Sequence, residues 1–191
     1  MKEILRNLET QRWDDHRYYH HSRINQSLHF VSAASFLAAY AMLFFYPVAA
    51  TLVGWLIAMT ARQSGHFFFE PKGYDHVNQA THEYKEAIKV GYNLRRKILL
   101  YVFLGAASLP VLLVPSLELG AVWLAVGVAG LLFRTVQLFF QRDVQTGLVW
   151  MTKILTDPFH DLMLYRKAPL ALLRGELIDP TLRASMKDAR V

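Results

Sequence analysis

The residues of this chain best suited to chemistry are histidines and carboxylates at helical spacing. His66 and Glu70 stand four apart in Gly65-His66-Phe67-Phe68-Phe69-Glu70, so on a helix they share one face. His16 and His20 form a second such pair, with His21 adjacent, and Asn25 and His29 follow. His76 and His82 lie in a polar segment, and His160 lies beyond the last apolar run. Neutral imidazole with carboxylate suits Fe(II), Zn or Mn. The chain has no cysteine, which excludes thiolate metal sites, disulfides and cysteine nucleophiles.

These residues fall at the edges of apolar runs, and the runs must position them. Hydrophobic content is 53% and charged content 19%, and the two kinds of residue are segregated along the chain. Residues 1–27 read as an amphipathic lead-in with Leu5, Leu8 and Trp13 as its stripe, and they hold no early apolar core of the cleavable-signal kind. Residues 30–61 are almost uncharged. That is too long for one crossing of roughly 20 residues, and Phe44-Phe45-Tyr46-Pro47 punctuates it. The expectation is a hairpin over 28–69, with one span near 28–46 and the next near 48–69. A His-rich segment, 70–96, follows, with a turn at Pro71-Lys72-Gly73 and a helix from Thr81 to Arg96. A second hairpin over 97–140 has spans near 97–114, kinked by Pro110, and 118–140. In the tail, 141–191, a short helix is expected to begin at Asp157-Pro158, and Leu162 to Leu173 to lie on a membrane surface. The fold class is thus all-α, one integral membrane domain of four transmembrane helices with amphipathic helices on one face. A soluble four-helix bundle would need a polar face on each helix, and residues 98–114 and 119–133 show almost none.

Charge sets the sidedness. Nineteen of the 21 Lys and Arg fall in the three polar segments or at Lys97 on their border, and the turns at 46–48 and 114–118 carry none. The positive-inside rule makes the loaded side cytoplasmic, with both termini there. All eight histidines fall on or just inside that face. The net charge of +6 is then accounted for by anionic lipid headgroups, and nucleic acid is not expected as a partner. Hairpin packing would bring His29 and His66 to similar depth, with His20 close by.

Tyr19-His20-His21, Asn25, Leu28-His29 and Gly65-His66-Phe67-Phe68-Phe69-Glu70 together resemble the signature of the membrane 2-hydroxy fatty acid dioxygenase family. That pattern has a His, an Asn five residues on, a second His four later, and Gly-His-x-x-x-Glu after a hairpin of spans. Asp157-Pro158-Phe159 weakly resembles a later family segment. The chain departs from the pattern after Glu70, where Pro71-Lys72-Gly73-Tyr74 stands in place of a basic residue and Pro-Ala. The resemblance implies Fe(II)-dependent oxidation of a 2-hydroxy fatty acid by O₂, giving an acid one carbon shorter. It implies His20, His29 and His66 as metal ligands, with Glu70 a ligand or the partner of one. His76, His82 and His160 are further candidates, and Arg62 or Arg23 could pair with the substrate carboxylate.

Two rival chemistries remain open. His16-x-x-x-His20-His21 also looks like one box of the diiron desaturases and hydroxylases, and a zinc-dependent membrane hydrolase would use similar ligands. A transport path would require polar groups in the middles of the last two spans, which lack them.

Overall fold

The computed structural model describes residues 2–76, 78–91, 96–99, 102, 113–114 and 116–180. Among these residues the regular structure is helical. Two isolated bridges, Ser22 with Ile178 and Asp75 with Ala80, are the β-type pairings, and there is no strand.

Helix α1 spans Lys2–Tyr19 and α2 spans Arg23–Met42. The chain breaks between them at His20 to Ser22. Ser22 lies in extended backbone and accepts from the Ile24 amide at 3.1 Å, a side-chain cap that starts the helix there. The first long apolar helix therefore begins earlier than residue 28. Its first turns carry Asn25, Gln26 and His29, all buried.

After a turn at 43–46, Pro47 opens α3, Pro47–Leu52; a residue without an N–H suits a first helical turn. The helix runs on through a π-helical segment, Val53–Met59, into α4, Thr60–Phe68. A π turn takes up more residues than an α turn. The segment thereby resets which face α4, with Arg62 and His66, turns toward α2.

Helix α5, His82–Ile88, is capped by Thr81 and ends at Lys89, well short of the expected Arg96. The expected third span, with Pro110, lies mostly outside the described residues. Helix α6, Leu117–Gln141, is capped by the Ser116 hydroxyl, which accepts from the Leu119 amide at 3.2 Å. Among the described residues it is the one helix long and apolar enough to cross a membrane, and only 22% of its apolar window is buried. Most of its apolar surface faces outward.

The tail differs from the sequence reading. Helix α7 runs from Val144 to Tyr165 with Pro158 inside it, so no short helix begins at Asp157. The true start is Asp143, whose carboxylate accepts from the Thr146 amide at 2.7 Å. Asp-Pro resembles a helix start because proline is favoured there. Here α7 packs against α1, α2 and α6, and that packing holds a helix the proline alone would interrupt. The expected surface helix, Leu162 to Leu173, is divided between the end of α7 and α8, Ala168–Leu173.

Helix α2 is the hub, touching α3, the π segment, α4, α7 and α8. Where α6 crosses α3, a Cβ on Gly120 would sit 2.9 Å from Val48 Cγ2. The missing side chain lets Thr51 Oγ1 donate to the Gly120 carbonyl at 3.2 Å, a close approach that small residues permit between membrane helices. The segment after α8 folds back over the helix break. Asp179 Oδ2 accepts from Arg23 at 2.9 Å and from Gln26 Nε2 at 2.8 Å, and Gln26 Nε2 also donates to the His20 carbonyl at 2.9 Å. Beside an apolar core that includes Leu138 and Val149, several polar side chains are buried and several large aromatics are exposed. Asn25, Gln26, His29 and Ser32 are fully buried, while Phe44, Phe45 and Phe140 are at least 76% exposed.

Candidate metal centre

The helix break, α2 and α4 deliver three imidazoles to one point. His20 stands at the break, His29 two turns into α2, and His66 near the end of α4. All three are buried. Their ring centroids are 4.0 Å (His20–His29), 5.1 Å (His29–His66) and 5.5 Å (His20–His66) apart. One ligand nitrogen from each lies within 4.8 Å of the others.

Gly65 makes the convergence feasible. A Cβ there would overlap Asn25 Oδ1 and approach His29 Cδ2 to 3.3 Å. Asn25 itself is pinned, with Nδ2 donating to the Tyr19 carbonyl at 2.9 Å. Gly65→Ala is therefore expected to push α4 away from α2, costing about 1–3 kcal/mol as overpacking does, and to weaken metal binding at least tenfold. Thermal unfolding and a metal titration on the same preparation check both effects.

Each ring is held from behind. His20 Nδ1 lies 2.8 Å from Tyr165 Oη, His29 Nδ1 lies 3.4 Å from Asp161 Oδ2, and His66 Nδ1 lies 2.7 Å from Glu70 Oε2. Such outer partners fix tautomer and ring orientation in metal sites. Meanwhile Nε2 of His20 and of His29 is buried with no hydrogen-bond partner. Orphaned buried polar atoms are rare and costly, and a bound cation would satisfy both. Burial pushes the His20 imidazole well below its usual range, with His29 beside it adding to the effect. The neutral ring is the form that ligates. This buried group of His20, His29 and His66 can bind a metal ion.

The outer carboxylates are themselves neutralised. Glu70 Oε1 accepts from Lys89 Nζ at 2.7 Å. Lys89 is steered there by Tyr19, over whose ring its ammonium lies 4.0 Å from the centroid, while Tyr19 Oη donates to the Lys85 carbonyl. Asp161 Oδ2 accepts from Arg62 at 3.0 Å. Burial alone would raise the Asp161 carboxyl, but hydrogen bonds from His160 and His29 and the Arg62 charge hold it well below the carboxylate range.

From Asp161 a buried ionic network spreads along α7. Asp157 pairs with Arg12 at 3.1 Å, Arg62 at 3.3 Å and Lys153 at 2.7 Å, and Lys153 pairs with Asp15 at 2.6 Å. Burial would raise the Asp15 carboxyl, and the Lys153 charge and hydrogen bond lower it overall. A small charged cleft among Arg12, Lys153, His160, Asp161 and Tyr165 reaches His20 and has room for about one water molecule.

The remaining sequence candidates stand apart from the three-histidine group. Glu70 is the nearest of them, but its two oxygens are taken by His66 and Lys89, which places it behind His66. His160 lies in the cleft, its Nδ1 3.4 Å from Asp161 Oδ1. His76 is exposed and meets Tyr74 edge to face with ring centroids 4.9 Å apart, and His82 opens α5. Arg62 is engaged by Asp157 and Asp161, and Arg23 by Asp179. His16 Nδ1 lies 3.2 Å from Tyr165 Oη.

Sequence reasoning missed Asp161, Tyr165 and Lys89. One signal was available: Lys153, Asp157, Asp161 and Tyr165 recur every four residues, one continuous helical stripe. Placing a helix start at Pro158 cut that stripe in two.

Comparisons of the chain with family models, with curated proteins and with solved structures gave no match.

Proposed function

We propose that the chain is an Fe(II)-dependent membrane dioxygenase that shortens 2-hydroxy fatty acids by one carbon. The observation that carries this reading is the convergence of His20, His29 and His66, each buried and each held at Nδ1 by an outer partner. Bound iron supplies a redox centre for O₂ and a Lewis acid for the substrate. The three imidazoles are neutral donors, and the carboxylates behind them are matched by Arg62 and Lys89. A divalent charge held there is left without compensation, and a buried charge calls for a partner. A substrate carboxylate with an adjacent hydroxyl would supply the anion and a second oxygen donor. The overall change, RCH(OH)COOH + O₂ → RCOOH + CO₂ + H₂O, balances without an external reductant.

The acyl tail requires an apolar surround. The outward-facing apolar residues of α6 and of the 43–46 turn support a membrane setting, because lipid favours apolar outside and satisfied polar groups within, and the four-span arrangement rests on the apolar runs of the sequence. In this reading the termini and the metal lie on the cytoplasmic side, where the Lys and Arg are concentrated.

A mononuclear zinc hydrolase is the second reading, favoured by one specific feature. Three histidines with no carboxylate ligand are also the donor set of a zinc-bound water. A diiron centre is less well supported, because the Glu70 oxygens are occupied and three imidazoles furnish ligands for a single ion.

The test is anaerobic purification with metal analysis, followed by O₂ uptake with 2-hydroxypalmitate and with palmitate. One iron per chain and reductant-independent uptake with the hydroxy acid alone is the expected result. Zinc at one per chain with no O₂ uptake would establish the hydrolase reading instead.

A further inference from the structure

We propose that Tyr165 is a positioning residue that selects the ligating tautomer of His20, and that His16 in turn orients the Tyr165 hydroxyl. The proposal rests on the metal reading above and adds two residues to it.

Tyr165 and His16 are both buried. Tyr165 Oη lies 2.8 Å from His20 Nδ1 and 3.2 Å from His16 Nδ1. A hydroxyl has one proton, so between these two nitrogens it donates to one and accepts from the other. When it donates to His16, it accepts from His20 Nδ1–H, and His20 Nε2 keeps its lone pair. When it donates to His20, the His20 proton moves to Nε2 and that nitrogen cannot ligate.

The other two rings do not face this choice. His29 is backed by Asp161 and His66 by Glu70, and an ionised carboxylate only accepts. Each therefore fixes Nδ1–H on its own. His20 alone has an outer partner whose proton can point either way. No second partner decides the matter, because His20 Nε2 has none. The acceptor that draws the Tyr165 proton away from His20 is His16 Nδ1. Metal loading therefore requires His16 to carry its proton on Nε2, although His16 is not a ligand.

The test uses the full chain in detergent micelles, titrated with Co(II) and Zn(II). Tyr165→Phe is expected to bind both about 10–100-fold more weakly, the range for outer-partner loss. His16→Leu is expected to weaken binding several-fold, and His16→Gln, whose side-chain carbonyl still accepts, to restore it. In the Zn(II)-loaded wild type, ¹⁵N shifts of labelled histidine are expected to show His16 as the Nε2–H tautomer. A purely structural Tyr165 would lower the melting temperature without the leucine–glutamine difference at position 16. Should Tyr165→Phe fail to fold, the His16 pair and the wild-type ¹⁵N shifts still decide. The proposal is overturned if Tyr165→Phe binds as wild type while His66→Ala does not, or if loaded His16 carries its proton on Nδ1. If wild type and His66→Ala both fail to bind, the metal reading falls, and this proposal with it.

Discussion

His66→Ala is expected to abolish stoichiometric metal binding and reduce turnover to background while leaving the fold standing. His66 is one of three converging rings, and two imidazoles do not hold a divalent ion against solvent. The affinity loss should exceed the 10–100-fold typical of outer-partner mutations. The fold should survive because the substitution strands no charge. Glu70 keeps its bond to Lys89 at 2.7 Å, and a buried carboxylate with a cation is tolerated where a bare one is not. His76→Ala is the matched control, since His76 is exposed and meets only Tyr74 edge to face among the described aromatic contacts, and it should bind metal and turn over as wild type. Metal content by mass spectrometry, with circular dichroism on the same samples, separates ligand loss from unfolding. Full metal occupancy in His66→Ala would refute the centre.

The second large effect is expected at a residue that touches no metal candidate. Asp157 is 3% exposed and meets Arg12, Arg62 and Lys153. Removing one member of a buried ion network leaves the others uncompensated, which costs about 3–5 kcal/mol. For a chain of this size Asp157→Ala should lower the melting temperature by roughly 10 °C. Asp157→Asn, which keeps one acceptor oxygen, should cost less. Metal affinity should fall modestly as well, because Arg62 bridges Asp157 to Asp161 and Asp161 holds His29. Differential scanning of both variants checks this. An unchanged melting temperature in Asp157→Ala would mean that the network is solvated and does not hold α1 and α4 to α7.

What the sequence by itself determined is local. Histidine and carboxylate spacing is a property of a few consecutive turns, so the grouping of His20, Asn25 and His29, and of Gly65, His66 and Glu70, was readable before any fold existed. The proline-marked turn before Pro47 and the apolar helix at Leu117–Gln141 were readable for the same reason.

Tertiary structure alone decided the rest. Asp161 and Tyr165 reach their histidines across 132 and 145 residues, and no local pattern encodes a distance in the folded chain. The azimuth of α4 follows from the π-helical segment Val53–Met59, a residue-count mismatch resolved only when α4 packs on α2. Pro158 shows the same division: its backbone preference argues for a boundary, and the packing of α7 on three other helices overrides it. Short-range helix preferences amount to less than about 1 kcal/mol for most residues and about 3 kcal/mol for proline, and the contacts of α7 with three other helices together exceed that, so the longer-range term wins.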